Sequence, residues 1–142
     1  MSEKMTESTY IHRLRPDTEK KLLGLLGFAA RARKLICGTD LCRDAIRRGQ
    51  IPLALVASDA SANTLKRITD TCIYYETDMC QIPIPVSVLS KQIGKTASIA
   101  VIGVTDMNFV NGIAALFENY HRYHRTERMN DRIWQLTKIR PV

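Results

Sequence analysis

The stretch from residue 35 to residue 64, LICGTDLCRDAIRRGQIPLALVASDASANT, contains two strands that each run directly into a helix. The first helix follows the apolar residues 35–37 and begins at Gly38-Thr39-Asp40, and the second follows the apolar residues 53–57 and begins within residues 58–61. Backbone N–H groups at a helix start lack intrahelical partners and carry partial positive charge, so they suit anionic partners. A sheet that brings both strand ends to one edge would present two such helix starts on one surface.

Helix and strand patterns alternate along the rest of the chain. Apolar residues at spacings of three and four predict further helices over about residues 17–33, 61–75, 85–93 and 105–120. Continuous apolar runs at residues 53–57 and 98–104 are typical of strands buried on both faces, and a weaker strand pattern covers residues 79–82. This alternation predicts a three-layer α/β/α sandwich with a mixed, largely parallel four-stranded sheet.

Two local expectations concern helix packing. Gly24 and Gly27 lie inside the first predicted helix, where glycine is costly, so both are expected to pack closely against a neighbouring element. In the helix that begins at Gly38, side-chain spacing predicts the buried face. Its expected members are Leu41, Cys42, Ala45 and Ile46.

The charge balance favours a polyanionic partner. Lys and Arg total 21 against 14 for Asp and Glu, which gives a net charge of +7 and a pI near 9.5. Nucleic acid is the first candidate among polyanions, and the alternative is a protein that is merely basic. No basic segment precedes a strongly apolar helix face, so a membrane is not expected as a partner.

The four cysteines form no C-x-x-C pair, and they are far in sequence from the three histidines. They are Cys37, Cys42, Cys72 and Cys80. These spacings do not fit zinc ligation, and the apolar residues around the cysteines are typical of small, reduced core side chains. No signal peptide or apolar run of transmembrane length is visible, so the expected location is the cytoplasm.

The chain is expected to form one domain with two tails. Residues 1–16 are polar and end at a proline, which predicts a flexible N-terminal arm, and residues 17–120 would form the α/β/α domain. Residues 121–142 carry six Lys and Arg side chains with Tyr123 and Trp134 interleaved, so this basic tail could contact phosphates and stack on bases. The alternative is a solvated helical extension with Trp134 docked on its own domain.

A series of short segments lines up, in order, with one known family. They are LLGL at residues 22–25, ARARKL at 30–35, GTD at 38–40, AIRRG at 45–49, LVASDASANT at 55–64, IGK at 93–95 and VTD at 104–106. Together these segments resemble the ribosomal protein L7Ae family, and specifically its short bacterial members, between residues 20 and 115. The resemblance implies the same α/β/α sandwich.

The resemblance also implies RNA binding, because the best-known members of the family bind kink-turn RNA, a sharply bent duplex with tandem sheared G·A pairs. Those members use a strand-to-helix turn with the first half of the following helix, and the loop before the last strand. Here the first contact corresponds to Gly38, Thr39, Asp40, Leu41, Arg43 and Asp44, and the second to Lys95, Thr96, Ala97 and Ser98.

Three positions depart from the pattern of strong kink-turn binders. Those proteins carry Asn and then Glu or Gln after the Gly-Thr pair, and a Lys further along the helix, where this chain has Asp40, Leu41 and Asp44. Asp40 can accept hydrogen bonds from a guanine edge, whereas Leu41 cannot and Asp44 would repel phosphate. Binding to a standard kink-turn is therefore expected to be weak. The role that the resemblance implies is that of a ribosome- or translation-associated RNA-binding protein.

The expected function is non-enzymatic binding of structured RNA, with ribosomal RNA as one candidate and without a cofactor or metal. Base-edge or backbone contacts are assigned to Gly38, Thr39 and Asp40. Phosphate contacts are assigned to Arg33, Lys34, Arg43, Arg47 and Lys95.

Two alternatives come from other functional classes. In the first, the same surface and the basic tail form a protein-interaction module of a ribonucleoprotein. In the second, Asp59 and Asp106 hold a metal in an enzyme that acts on nucleic acid. Against the enzyme, both aspartates are also good helix caps, and the sequence has no glycine-rich phosphate loop or Ser-His-Asp set.

Overall fold

A computed structural model describes residues 18–117, in which five helices alternate with four strands. The elements are α1 Glu19–Arg31, β1 Leu35–Cys37, α2 Thr39–Arg47, β2 Leu53–Val56, α3 Ala62–Tyr75, β3 Asp78–Gln81, α4 Val86–Gln92, β4 Val101–Val104 and α5 Met107–Ala114. The predicted N-terminal arm, residues 1–16, and the predicted basic tail, residues 121–142, lie outside the described residues.

Local sequence signals account for several of the helix ends. The Ser61 hydroxyl accepts a hydrogen bond from the Thr64 amide at 3.1 Å, and the Asp106 carboxylate accepts one from the Asn108 amide at 2.7 Å. These caps satisfy N–H groups that the first turns of α3 and α5 leave without helical partners. The α5 helix ends at Ala114, so the described part of the predicted helix over residues 105–120 is shorter than expected.

The sheet has the order β1-β4-β2-β3, and it is mostly antiparallel. β4 runs antiparallel to both β1 and β2, and only β2 and β3 are parallel. The prediction of a largely parallel sheet is therefore wrong. Alternating helices and strands favour parallel pairing when each helix returns the chain along the length of the sheet. Residues 82–100 instead leave β3 and enter β4 at the same end of the sheet, because Gln81 and Val101 both lie opposite Val56. The chain therefore enters β4 in the direction opposite to β3.

β4 is also shorter than its apolar pattern predicts. The pattern spans residues 98–104, whereas the strand begins at Val101. The Ile99 amide donates to the Ser90 hydroxyl of α4 at 2.8 Å, so it does not join the sheet ladder. The residues before Val101 therefore belong to the loop that leads into the strand.

Helices cover both faces of the sheet, and a separate apolar cluster fills each interface. On one face α1, α4 and α5 pack on alternate residues of β2 and β4, including Leu55 and Ile102. On the other face α2 and α3 pack on the intervening residues, including Val56 and Val101. Because every residue of β2 and β4 is buried, the continuous apolar runs reflect their central position in the sheet and not their direction.

Two expectations about helix packing need correction. Leu41 is 64% exposed and does not belong to the buried face of α2, which is formed by Cys42, Ala45 and Ile46. Gly27 packs closely as expected, since a Cβ there would lie 3.0 Å from Nε2 of Gln92, but Gly24 faces open space. The spacing of apolar residues does not distinguish a buried leucine from an exposed one at the margin of the stripe.

Gly103, in the middle of β4, allows Ile51 to pack against the strand. A Cβ at residue 103 would come within 3.0 Å of three carbons of the Ile51 side chain, which is 3% exposed. Since this side chain lies within the α2–α3 cluster, it has little room to move aside.

We expect Gly103→Ala to lower the free energy of unfolding by about 1–3 kcal/mol, the usual cost of overpacking a core. The matched control is Gly24→Ala, which adds the same methyl group in open space within α1 and should raise stability by up to about 1 kcal/mol. Urea denaturation of both variants measures the difference. Equal stability of the two variants would contradict the close packing at Gly103.

Candidate nucleic-acid interface

The strand register brings the two predicted contact segments to one edge of the sheet. The Gly38 amide, just after β1, donates to the Val101 carbonyl at 2.9 Å, and Val101 begins β4. The loop of residues 95–98 leads into the same strand. The turn after β2 lies there as well, because the Ala57 amide donates to the Ala100 carbonyl at 2.8 Å. We call this end of the sheet, with residues 38–40, 58–61 and 95–98, the upper edge.

The α2 helix start depends on an unusual backbone conformation. Gly38 occupies the N-cap position with φ +108° and ψ 145°, a region that residues with a Cβ rarely adopt. Because glycine has no side chain, it offers no oxygen to cap the first turn of α2. The amides of that turn therefore suit an anionic ligand.

The second helix start at the upper edge, that of α3, already has a side-chain cap. Ser61 caps α3, and the Asp59 carboxylate accepts a hydrogen bond from the Val86 amide at 2.8 Å. Asp59 therefore caps the first residue of α4 rather than the start of α3. Of the two helix starts in residues 35–64, the uncapped one is that of α2.

The loop of residues 95–98 is exposed and lies beside the end of β1. All four side chains are exposed, and the Lys95 amide is anchored to the Ser90 carbonyl at 2.9 Å. Burial raises the pKa of the Cys37 thiol, and the positive charge of Lys95 lowers it. The pKa of Cys37, the residue that precedes Gly38, therefore responds to the charge of Lys95 in the neighbouring loop.

Three of the predicted phosphate contacts lie at the opposite end of the sheet, which we call the lower edge. Arg33 and Lys34 precede β1, and the Lys34 carbonyl accepts hydrogen bonds from the amide and hydroxyl of Thr105, just after β4. Arg47 ends α2 and lines a cavity of about 470 Å³ together with Thr105. The sequence cluster of basic residues around Gly38 is therefore divided between two ends of the molecule.

Arg67 of α3 lies beside the upper edge and was not predicted as a contact residue from the sequence. Its Nη2 lies 2.9 Å from Oδ1 of Asp40, in the first turn of α2. One helical turn further along, Nε of Arg43 donates to the Thr71 hydroxyl at 3.0 Å. The position of Arg67 away from the apolar stripe of α3 was visible in the sequence, but its contact with α2 depends on the packing of the two helices.

Three of the four cysteines are buried in the core. Burial raises the pKa of Cys42 to about 12, and it also raises the pKa values of Cys72 and Cys80. Buried thiols with raised pKa values suit the core role predicted for them. Between residues 18 and 117, no three His, Cys, Asp or Glu side chains are grouped to hold a metal ion, and no helix there is long and apolar enough to cross a membrane.

Comparison with known proteins connects this arrangement to one family. A model of the ribosomal protein L7Ae/L30e/S12e/Gadd45 family matches residues 20–112. The chain belongs to this family. Because the family is non-enzymatic, membership confirms the expectation that the protein is not an enzyme.

Bacterial relatives match most of the family region. The chain is 42% identical over 94 residues to the RNA-binding protein YlxQ of Bacillus subtilis, covering 66% of this chain and 92% of the relative. It is 34% identical over 99 residues to the RNA-binding protein YlxQ of Enterococcus faecium, covering 70% of this chain and 93% of the relative. These matches support the L7Ae-family resemblance found in the sequence.

Two solved structures share the fold. A protein of unknown function from Bacillus halodurans aligns with a TM-score of 0.64 at 39% identity, covering 69% of this chain and 97% of that chain. The 15.5kD RNA binding protein of Giardia lamblia aligns with a TM-score of 0.59 at 16% identity, covering 76% and 97% respectively. The second similarity, at this low identity, concerns the fold alone.

The effect of the Lys95 charge on Cys37 can be measured through thiol reactivity. The Lys95 ammonium favours the Cys37 thiolate, so Lys95→Gln should raise the thiol pKa further and slow its alkylation at pH 8 by roughly twofold. Mass spectrometry after iodoacetamide treatment measures the rate at Cys37. The difference should disappear at a pH above the thiol pKa of both proteins. Lys91→Gln, on exposed α4, is the matched control, and an equal effect of both variants would contradict a specific effect of Lys95.

Proposed function

We propose that this protein binds structured RNA through the upper edge of its sheet. The observation that carries the proposal is the juxtaposition of the uncapped α2 helix start at Gly38 with the exposed loop of residues 95–98. Two bacterial relatives that are 42% and 34% identical are named RNA-binding proteins, and the match to the first covers 92% of its length. The net charge of +7 favours the same class of partner.

The proposed contacts divide into two kinds. The backbone of Gly38 and Thr39 approaches the RNA closely at the α2 helix start, and the backbone and short side chains of residues 96–98 fit against it from the loop. Lys95 and Arg43 contact phosphates. Most of these groups recognise the shape and charge of a folded RNA, since few of them can read a base edge. Arg33, Lys34 and Arg47 are not included in this contact because they lie at the lower edge.

We further propose a ribosome- or translation-associated role in the cytoplasm. The resemblance to short bacterial members of the L7Ae family supports this role, and the four free thiols suit a reducing compartment. Ultraviolet crosslinking in cells, followed by sequencing of the bound RNA, tests the assignment. Recovery of ribosomal RNA or of another translation-related RNA is expected, and crosslinks confined to unrelated transcripts would contradict it.

Lys95 and Arg47 distinguish the upper edge from the lower edge as the binding surface. We expect Lys95→Ala to weaken RNA binding several-fold and to reduce the slope of log K against log salt by about 0.7–0.9, the loss of one phosphate contact. Arg47→Ala removes the same charge at the lower edge and should leave the slope unchanged. Fluorescence titrations at several salt concentrations measure both values. A larger effect of Arg47→Ala would place the RNA at the lower edge.

Reversing the three departures from the kink-turn pattern should strengthen binding to kink-turn RNA. Changing Asp40, Leu41 and Asp44 to Asn, Glu and Lys should improve binding to a standard kink-turn RNA by tenfold or more, since one good base-edge contact contributes about 1–3 kcal/mol. Leu41 is 64% exposed, so Glu at this position should not disturb the core.

The stability cost of this triple variant should also be small. It changes the exposed ion pairs of Asp40 with Arg67 and of Asp44 with Arg48, and such pairs contribute only about 0–1 kcal/mol each. Gel-shift titration measures the affinity for RNA, and circular dichroism checks the fold. Nanomolar binding of the kink-turn by the wild-type chain would show that the departures do not weaken recognition.

A further inference from the structure

The surface between α2 and α3 carries two arginines beside the upper edge, and each forms a hydrogen bond to a side chain of the other helix. Arg67 of α3 bonds Asp40 with Nη2–Oδ1 at 2.9 Å, and Arg43 of α2 bonds Thr71 of α3 with Nε–Oγ1 at 3.0 Å. Both helices start at the upper edge and run in the same direction, because β1 and β2 are both antiparallel to β4. The two arginines therefore lie in the second turns of neighbouring helices, and their contacts join α2 and α3 at points one helical turn apart.

Thr71 is the residue that orients Arg43. Its hydroxyl donates to the Arg67 carbonyl at 2.9 Å and accepts from Nε of Arg43, and the residue is only 6% exposed. Because the donated hydrogen bond fixes the hydroxyl, an oxygen lone pair is directed at Arg43. Nε is thereby occupied, while the remaining N–H donors of the guanidinium are left for another partner.

Asp40 has the corresponding effect on Arg67. The Asp40 side chain is 84% exposed and that of Arg67 is 40% exposed, so their ion pair adds little to stability in water. It does restrict the rotamers of Arg67 and holds the guanidinium next to the α2 helix start. A planar guanidinium that is already oriented loses less conformational freedom when it binds a phosphate through two parallel hydrogen bonds.

We propose that Arg43 and Arg67 together bind the RNA backbone as it passes from the upper edge onto the α2–α3 surface, with Thr71 as a positioning residue for Arg43. In this arrangement α3 supplies the cation that α2 lacks at Asp44, and Asp40 orients Arg67 instead of reading a guanine edge. The inference rests on the proposed RNA-binding function, and it extends the contact to Arg67, a side chain of α3 that was not among the contacts predicted from the sequence.

Arginine substitutions test the proposal with the full chain and two fluorescent probes, a kink-turn RNA and an RNA duplex of equal length without the bend. Arg67→Ala should weaken binding of whichever probe the wild-type chain binds by about tenfold and reduce the salt slope by about 1. Arg67→Lys should keep most of the slope but lose part of the affinity, because an ammonium cannot form the two parallel hydrogen bonds.

The matched control is Lys66→Ala, one residue away on α3. Lys66 carries the same charge as Arg67 and forms an exposed ion pair with Asp70 at 3.0 Å. This variant should leave RNA affinity within about twofold and the salt slope unchanged. Similar losses in Lys66→Ala and Arg67→Ala would overturn the proposal, because the effect would then reflect net charge and not a specific contact.

Variants of Thr71 separate positioning from simple helix packing. Thr71→Val keeps the side-chain shape but cannot accept from Arg43, so it should weaken RNA binding, and Thr71→Ser should restore binding. In an Arg43→Ala background, Thr71→Val should have no further effect on affinity. If Thr71→Val lowers only the thermal midpoint and leaves RNA affinity unchanged, the Thr71–Arg43 contact is purely structural and the positioning role is overturned.

The Lys95→Ala variant distinguishes failure of this inference from failure of the proposed function. If the wild-type chain binds and Lys95→Ala weakens binding while Arg67→Ala and Arg43→Ala do not, the α2–α3 contact is overturned and the upper-edge site stands. If the wild-type chain binds neither probe at low salt, the RNA-binding proposal itself fails, and the inference that rests on it fails as well.

Discussion

The antiparallel pairing of β4 between β1 and β2 brings together the segments that form the upper edge. It places Val101, the first residue of β4, beside Gly38 at the end of β1 and opposite Val56 at the end of β2. Two strand-to-helix turns and the loop before β4 therefore meet at one edge. Gly103 makes this pairing compatible with a dense core, because Ile51 packs where a Cβ would otherwise be. A shift of β4 would separate the loop of residues 95–98 from the α2 helix start.

The upper edge combines groups that are rigid with groups that remain exposed. Gly38 provides a backbone conformation that other residues rarely adopt, and its lack of a side chain leaves the α2 helix start uncapped. In the neighbouring turn, Ser61 caps α3 and Asp59 accepts a hydrogen bond from the first amide of α4. Two arginines lie beside this start, and each is oriented by one hydrogen bond. Arg67 bonds Asp40, and Arg43 bonds Thr71. Such preorganisation favours a partner that is recognised by shape and by phosphate position.

The polar side chains at the start of α2 give this member of the L7Ae family a different chemical character from the kink-turn pattern. Asp40 and Asp44 would repel an RNA backbone if they were unpaired, but each lies within 3.1 Å of an arginine nitrogen. Leu41 offers an exposed apolar surface where the kink-turn pattern has a hydrogen-bonding side chain. We infer that phosphate contacts come from Arg43, Arg67 and Lys95. We also infer that this protein is less selective for bent RNA than the strong kink-turn binders of the family.

Local chemistry in the sequence determined the order of the helices and strands, several of the helix starts and the family. The apolar runs, the Ser61 and Asp106 caps and the Gly38 turn each depend on residues close together in the chain, so they could be recognised without a structure. The direction of β4, the exposure of Leu41, the separation of Arg33 and Arg47 from Gly38 and the contact of Arg67 with Asp40 were decided only by the tertiary structure. A strand buried on both faces has the same apolar pattern in either direction, and charged residues that are neighbours in sequence can lie at opposite ends of a strand or helix. Pairing between distant segments therefore determined which of the basic residues share a surface.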